Sequence, residues 1–207
     1  MEDTEFIIDL PEELFDSKLP NSYNLSYYEN LNNRMIWVNS EIDSILAQEV
    51  IHYIIKWNRE DKDIPAMDRK PIRLLFDCSG GSLDAQAAIC SAIELSKTPV
   101  VGIAIGLVAS AASLIYLSCH VRMALKSSYF ILHKGSAALS GDYENIMSSI
   151  ADYQKEVEKM VSFIVEKSKY TRAEVEEHIG KDWYVRAQEA LEKGLVDEII
   201  TDIGVFL

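Results

Sequence analysis

The stretch Thr98–Cys119, TPVVGIAIGLVASAASLIYLSC, decides the fold, because its 22 residues include no charged side chain. An apolar run of this length can cross a membrane as a helix. Here, however, Pro99, Gly102 and Gly106 interrupt the run, and a series of alanines and serines follows. A buried β-strand that turns into a buried helix near Ser110 accounts for that punctuation better than a membrane span. We therefore expect no membrane association.

Apolar runs and amphipathic patterns alternate on both sides of this stretch. Strands are predicted at 34–38, 72–76, 100–105, 122–125 and 129–132, with two further extended segments at 183–185 and 195–200. Helix starts are predicted at a capping box of Ser40 and Asp43, at Ser82, near Ser110, near Tyr143, at a capping box of Thr171 and Glu174, and near Ala187. The first of these helices carries an apolar stripe of Ile42, Ile45, Leu46, Val50, Ile54 and Trp57. This alternation predicts an α/β domain with a largely parallel sheet.

The two ends of the chain differ in character. Residues 1–32 are acidic, hold several Asn, Tyr and Pro, and show no sustained hydrophobic period, so we expect a partly ordered N-terminal arm. Residues 33–207 are expected to form one domain. Within it, a long amphipathic helix is predicted over about 143–169, with an apolar stripe of Ile146, Ile150, Tyr153, Val157, Met160, Val161 and Ile164. That stripe is long for one small domain, which suggests a helix that projects for assembly.

Composition narrows the possible functions. The 207 residues carry 33 acidic and 20 basic side chains, a net charge of −13, which argues against a nucleic-acid-binding surface. No P-loop spacing is present, so the chain is not expected to hydrolyse ATP itself. Its three cysteines lie in apolar segments without metal-ligand spacing, which predicts free buried thiols in a reducing compartment. The acidic N-terminus does not resemble a signal peptide, so we expect a cytoplasmic protein. We also expect the protein to need no metal or organic cofactor.

The segment around Ser110 is the first candidate for chemistry. A serine at a strand-to-helix junction can present its hydroxyl near free backbone N–H groups, which suits a nucleophile whose intermediate bears an oxyanion. The flanking alanines exclude the G-x-S-x-G elbow of α/β-hydrolases. On spacing alone, a serine that caps or packs in a small-residue helix is the favoured interpretation, and Ser113 and Ser118 are then nearly equal candidates.

Two further features could complete such a site. Gly80 and Gly81 follow a predicted strand, where glycines let the backbone approach another group closely and direct an amide outward. Two of the four histidines, His120 and His133, lie beside predicted strands. His133 ends an apolar run, at the place where open α/β sheets carry their sites, and is therefore the preferred general base. Spacing does not select a carboxylate partner from the acidic residues.

Taken together, these segments resemble the proteolytic subunit of the Clp protease. Its Asn-Ser-Pro-Gly-Gly segment is similar to Asp77-Cys-Ser-Gly80-Gly81, and its Gly-x-x-Ala-Ser segment is similar to Gly106-Leu-Val-Ala-Ser110. A Met-Ile-His run matches Ile131-Leu-His133. Near the C-terminus, a pattern from an Asp through Glu-Ala to Gly-Leu-Val-Asp matches the stretch from Asp182 to Asp197. The resemblance covers about residues 34–200.

This resemblance implies a specific fold and mechanism. The fold would be a ClpP- and crotonase-like α/β spiral of ββα units, with the helix at about 143–169 as a projecting handle that joins two rings. Ser110 would be the nucleophile, His133 the general base and Asp182 its orienting carboxylate. The backbone amides of Gly81 and Ala111 would form the oxyanion hole. The family's assembly, two stacked heptameric rings fed by an AAA+ unfoldase of the Clp type, would supply the partners for cleaving polypeptides.

The sequence departs from the family at three places. The Gly-Gly turn lacks its proline, His133 is followed by Lys134-Gly135 where Gln-Pro is usual, and residues 1–32 do not match the family's axial loops. Two other classes of function therefore stay open. One is a non-catalytic or regulatory subunit of a mixed ring, and the other is a CoA-ester enzyme of the crotonase superfamily, which shares this fold.

Overall fold

The structure, a computed structural model, describes residues 21–135 and 140–206. The strands are β1 (Met35–Val38), β2 (Ile72–Cys78), β3 (Val100–Ala109), β4 (Val121–Leu125), β5 (Tyr129–Leu132), β6 (Trp183–Arg186) and β7 (Glu198–Ile200). The helices are α1 (Ser22–Asn32), α2 (Ser44–Glu60), α3 (Leu83–Leu95), α4 (Ala111–Ser118), α5 (Tyr143–Glu166), α6 (Arg172–His178) and α7 (Ala187–Glu192). Short 3₁₀ turns lie at Ala66–Asp68 and Ile203–Phe206.

All strands join one sheet in which the long strand β3 has two neighbours on the same side. The main path runs β1-β2-β3-β4-β7, and every pairing along it is parallel. The first half of β3 pairs with β4, and its last residues, Leu107–Ala109, pair with β5. Only β6, which pairs with β5, runs antiparallel within the described sheet. The predicted α/β class with a largely parallel sheet is confirmed.

Strand β3 extends four residues beyond its predicted end at Ile105. Phe76 pairs with Ala104 whereas Cys78 pairs with Val108, so Asp77 faces a bulge in β3. The Asp77 carboxylate accepts the N–H of Leu107 at 3.0 Å, and a Cβ at Gly106 would clash with this carboxylate. Gly106 therefore marks a bulge rather than the strand end that the sequence suggested.

The main core lies between the sheet and the helices. Phe76, Tyr116 and Phe130 are fully buried, and the Tyr116 ring contacts Phe76 edge-to-face and Phe130 at a tilt, with ring centroids 5.5 and 5.1 Å apart. Each such side chain contributes about 1.5–3 kcal/mol by burial. A smaller cluster of Leu75, Ile103 and Met123 lies apart from the main core, and the C-terminal turn packs against it. The charge-free stretch 98–119 is thus strand β3 followed by helix α4, and none of the helices described is long and apolar enough to span a membrane.

Helix α2 begins later than predicted. The capping box of Ser40 and Asp43 is wrong: Asp43 is itself the N-cap, and its carboxylate accepts the N–H groups of Ile45 and Leu46 at 2.9 and 2.8 Å. Ile42 precedes the helix and forms a β-bridge with Gly81. Ile45, placed in the predicted apolar stripe, is 74% exposed. By contrast, the caps at Ser82 and at Thr171 with Glu174 are confirmed.

Part of the N-terminal arm is helical, which the sequence did not predict. Helix α1 is capped by Asn21 and contacts strand β1. It lacks a helical hydrophobic period, so tertiary contacts stabilise it, among them a 3.0 Å hydrogen bond from the Tyr27 hydroxyl to Glu49. Residues 1–20 of the predicted arm lie outside the described residues.

The long helix α5 packs into the domain at its C-terminal end. Val161 and Ile164 are buried, whereas Ile146 and Ile150 are only half-buried and Tyr143 is 72% exposed. Its most extensive contacts with other helices and strands are to α6 and α4. The N-terminal half of α5 therefore leaves an apolar stripe that this chain covers only in part.

Candidate active site

Strand order brings the three predicted catalytic residues to one edge of the sheet. Ser110 directly follows β3, and its N–H donates to the carbonyl oxygen of Ile131 in β5 at 2.9 Å. His133 directly follows β5, which is parallel to β3. Parallel strands place their carboxyl ends side by side, so Ser110 and His133 lie at the same edge.

Asp182 lies at the same edge because it directly precedes β6, which runs antiparallel to β5. Strand β6 is antiparallel to β5, and the pair Leu132 and Trp183 lies at the end of the ladder. The residue after β5 therefore faces the residue before β6. His133 Nδ1 and Asp182 Oδ1 are 3.0 Å apart, with the side chains 30% and 56% exposed.

The hydrogen bond to Asp182 determines which ring nitrogen of His133 is free. In a neutral imidazole one nitrogen carries the proton and the other accepts one. A proton on Nδ1, donated to the carboxylate, leaves Nε2 as the acceptor. Nε2 is shielded from solvent and has no hydrogen-bond partner among the residues described. This is the arrangement that a general base requires.

Ser110 is not an ordinary helix cap. It occupies the N-cap position of α4, but its hydroxyl does not cap the helix, and its backbone has φ of 55° and ψ of −127°. Non-glycine residues adopt positive φ rarely, and such strain often accompanies function. Ser113 and Ser118 are buried, and their hydroxyls donate to backbone carbonyls. Of these three serines, only Ser110 is partly exposed and has a hydroxyl that makes no hydrogen bond to the backbone among the residues described.

The glycine turn after β2 packs directly on Ser110. A Cβ at Gly80 would lie 2.7 Å from Ser110 Cβ and 2.9 Å from the Ala109 oxygen, so only glycine fits. The Gly80 carbonyl oxygen accepts the N–H of Ile42 at 2.9 Å, and the N–H of Ser82 donates to the Ile42 carbonyl oxygen at 2.7 Å. This ladder turns the Gly81 amide, which lies between them, away from Ile42.

The second predicted oxyanion donor belongs to helix α4. Ala111 is its first residue, so its N–H has no partner within the helix. The glycine turn lies against this amide as well, because a Cβ at Gly80 would be 3.2 Å from the Ala111 nitrogen.

Several supporting contacts were missed by the sequence analysis. The Cys78 thiol donates to the Ser40 oxygen at 2.9 Å and accepts the Gly80 N–H at 3.4 Å, which holds the glycine turn. Burial raises the pKa of this thiol, which keeps it protonated. Lys134 donates its N–H to Ile179 at 2.9 Å and accepts the hydroxyl of Tyr153 at 2.7 Å. Except for the contact between Cys78 and Gly80, these contacts join residues far apart in sequence, so no local pattern indicates them.

His120 does not belong to this site. Its Nδ1 accepts the N–H of Val100 at 3.0 Å, at the start of β3, and burial lowers its pKa. Ser110 follows the other end of that ten-residue strand, about 30 Å away at the usual rise per residue. The structure thus places His120 at the opposite end of β3 from Ser110, whereas His133 follows β5 at the same sheet edge as Ser110.

A largely apolar cavity of about 400 Å³ opens between α3, α4 and α5, and none of Ser110, His133 and Asp182 lines it. Leu83, Leu114 and Met160 contribute to its walls, and Lys134 contributes from the segment after His133. Leu83 lies two residues after Gly81, and Leu114 lies one helical turn after Ser110. The walls of the cavity thus include near sequence neighbours of Gly81, Ser110 and His133.

Comparisons with known proteins agree on one family. The Clp protease family profile matches residues 20–202. ATP-dependent Clp protease proteolytic subunit 2 of Treponema denticola is 30% identical over 175 residues, 82% of each chain. The Treponema pallidum protein of the same name is 29% identical over 172 residues, 82% of this chain and 83% of that protein. A mutant ClpP1 from Listeria monocytogenes shares the fold, with a TM-score of 0.71 and 22% identity over 86% of this chain and 98% of that one. The chain therefore belongs to the Clp protease family.

Proposed function

We propose that this chain is a serine endopeptidase subunit that cleaves unfolded polypeptides and short peptides through an acyl-enzyme. The observation that carries the proposal is the 3.0 Å contact between His133 Nδ1 and Asp182, formed at the sheet edge where Ser110 ends β3. A base that is oriented by a carboxylate and lies beside a serine is the arrangement of serine hydrolases on many folds.

Each residue has a defined role in the proposed reaction. Ser110 Oγ attacks the peptide carbonyl carbon while His133 Nε2 takes the hydroxyl proton, and Asp182 stabilises the resulting imidazolium. The amides of Gly81 and Ala111 donate to the oxyanion of the tetrahedral intermediate. On collapse, His133 gives its proton to the leaving amine and an ester to Ser110 remains. Water, activated by His133, then hydrolyses this ester and restores the serine.

The cavity beside the site supports a polypeptide substrate. Its apolar walls suit an aliphatic or aromatic side chain next to the scissile bond, while the extended backbone lies across the glycine turn. The relatives named above are proteolytic subunits of an ATP-dependent protease. No nucleotide-binding motif occurs in this sequence, so energy for unfolding a substrate would come from a separate AAA+ unfoldase of the Clp type.

Assembly and location form part of the same proposal. The partly covered stripe of α5 is suited to pair with a second copy, and we place it at the contact between two stacked heptameric rings. The described cysteines Cys78, Cys90 and Cys119 are free and buried, which suits a reducing compartment such as the cytoplasm.

The direct test is hydrolysis of a fluorogenic peptide with an apolar residue before the scissile bond. Wild-type protein should cleave it, and Ser110→Ala should lose about 10⁴-fold or more in kcat. The substitution removes one oxygen beside small alanines, so circular dichroism and thermal stability should stay unchanged. Equal activity in the variant would refute the assignment of Ser110. A folded wild-type assembly without activity would instead favour a non-catalytic subunit.

A further inference from the structure

Helix α4 contains a buried serine that the proposed reaction does not use. Ser113 is 1% exposed, so it cannot meet a substrate. Its hydroxyl lies 2.8 Å from the carbonyl oxygen of Val108 and 3.3 Å from that of Ile131. Val108 belongs to β3 and lies two residues before Ser110 in the sequence. Ile131 belongs to β5 and lies two residues before His133. One hydroxyl thus contacts both strands that carry the proposed nucleophile and base.

The backbone of Ser113 adds a third contact to the same place. Its N–H donates to the carbonyl oxygen of Ser110 at 3.0 Å, while the Ser110 N–H donates to Ile131 at 2.9 Å. The Ile131 oxygen therefore accepts the Ser110 N–H and lies within reach of the single Ser113 hydroxyl proton, which it shares with the nearer Val108 oxygen. These contacts surround a residue with φ of 55°, a conformation that persists only where its surroundings hold it.

We infer that Ser113 is a positioning residue for the acyl transfer, one that fixes Ser110 relative to His133 by joining the ends of β3 and β5. The inference rests on the proposed function. Loss of the hydroxyl leaves the Val108 oxygen without this buried donor and lets the β3 end move against β5. The Ser110 hydroxyl then moves relative to Nε2 of His133, and small misplacements of reacting groups cost large factors in rate.

Ser118 supplies a matched control in the same helix. It is also buried, at 5% exposure, but its hydroxyl donates to Leu114 of its own helix at 3.1 Å. It contacts neither strand end. Replacing either serine with alanine removes one buried hydroxyl from α4, so a general effect on helix stability should appear in both variants alike.

The experiment compares wild type, Ser113→Ala and Ser118→Ala as purified full-length chains with the fluorogenic peptide described above. Ser113→Ala should lower kcat by about tenfold to 100-fold, with KM within about twofold of wild type, because misplacement of the nucleophile affects the transition state and not the bound peptide. Ser118→Ala should keep both constants within about twofold. Ser113→Cys, which keeps a weak donor at the same position, should give an intermediate kcat.

The outcomes separate this inference from the function on which it rests. Normal kcat in Ser113→Ala, with wild type active, would overturn the positioning role alone. Equal losses in the two alanine variants, with parallel losses of thermal stability, would also overturn it, since they would indicate a packing effect. If Ser113→Ala does not fold, Ser113→Cys decides, and wild-type kcat in that variant would overturn the role. A wild-type protein without activity would refute the proposed function itself.

Discussion

Strain at Ser110 links the backbone of this protein to its chemistry. A positive φ at a serine costs about 1–3 kcal/mol, and here three things hold it: the β5 carbonyl, the contacts of Ser113 and the glycine turn against its Cβ. The Ser110 hydroxyl does not cap α4. The strained residue is also the one that we propose as the nucleophile.

His133 and His120 provide the clearest contrast at the residue scale. His133→Ala should abolish peptide hydrolysis, because it removes the proposed base while leaving the strand edge intact. His120→Ala should retain near wild-type kcat, since His120 lies at the other end of β3. Steady-state kinetics on both variants decides the matter. Comparable losses in both, or activity in His133→Ala, would be inconsistent with the assignment.

How far the sequence could predict the site differs from residue to residue. Ser110 and His133 follow apolar runs, so their edge of the sheet could be predicted from local pattern. Asp182 could not, because its selection depends on the antiparallel pairing of β6, which no spacing encodes; it entered only through the family resemblance. Cys78, Tyr153 and Ser113 were missed for the same reason, since each acts through a contact distant in sequence.

At the scale of elements, hydrophobic period and caps predicted most strands and helices well. The errors fell where tertiary contacts override local signals. Helix α1 has no amphipathic period but is held by contacts with its neighbours. The start of α2 shifted because Ile42 is used in a β-bridge to Gly81 rather than in the helix. The extension of β3 depends on the Asp77 carboxylate that fills its bulge.

An ion pair between elements gives a stability prediction. Arg34, before β1, donates two hydrogen bonds to Asp61 after α2, at 2.6 and 2.8 Å, and Thr98 donates a third at 2.9 Å. The Asp61 side chain is 3% exposed. Asp61→Asn should lower the free energy of unfolding by about 3 kcal/mol, because it removes the buried carboxylate that pairs with Arg34 and leaves only the more exposed Glu60, at 3.5 Å, as its ion-pair partner. Asp63→Asn, at an 87% exposed side chain, should change it by less than about 0.5 kcal/mol.

The difference in the free energy of unfolding between wild type and Asp61→Asn should depend on pH. The hydrogen bond from Arg34 holds the pKa of Asp61 below its ordinary value. The stabilisation is therefore fully present above the unfolded pKa of about 4 and is lost as pH falls through the lower, folded pKa. Urea unfolding at pH 7 and at about pH 3 measures it. A gap between wild type and Asp61→Asn that is as large at low pH as at neutral pH would contradict the account.

The stripe of α5 carries a prediction about assembly. Ile150→Glu, at a half-buried position of the N-terminal half, should shift sedimentation toward smaller species without loss of thermal stability. Ile164→Glu, at a fully buried position of the same helix, should instead unfold the domain. Unchanged sedimentation of Ile150→Glu would show that the stripe is not an interface between copies.

For the whole molecule, the proposal implies a gated protease. If the active sites face an enclosed chamber, a folded domain cannot reach them without mechanical help. The purified protein should therefore cleave unstructured peptides but spare a compact folded substrate, and should degrade the latter only with ATP and a cognate unfoldase. Gel analysis of a folded fluorescent substrate under both conditions is sufficient. Rapid degradation without any ATPase would contradict the enclosed chamber.

The central claim is that Ser110 is a nucleophile activated by His133 and Asp182, and a fluorophosphonate probe tests it most directly. Such probes react with serines that a triad makes abnormally nucleophilic. After incubation of the native full-length protein, peptide mass spectrometry should find the phosphonyl adduct on Ser110 alone. The adduct should be lost in Ser110→Ala and strongly reduced in His133→Ala. An unmodified Ser110 in a folded, assembled wild-type protein, or an adduct on another serine, would contradict the claim.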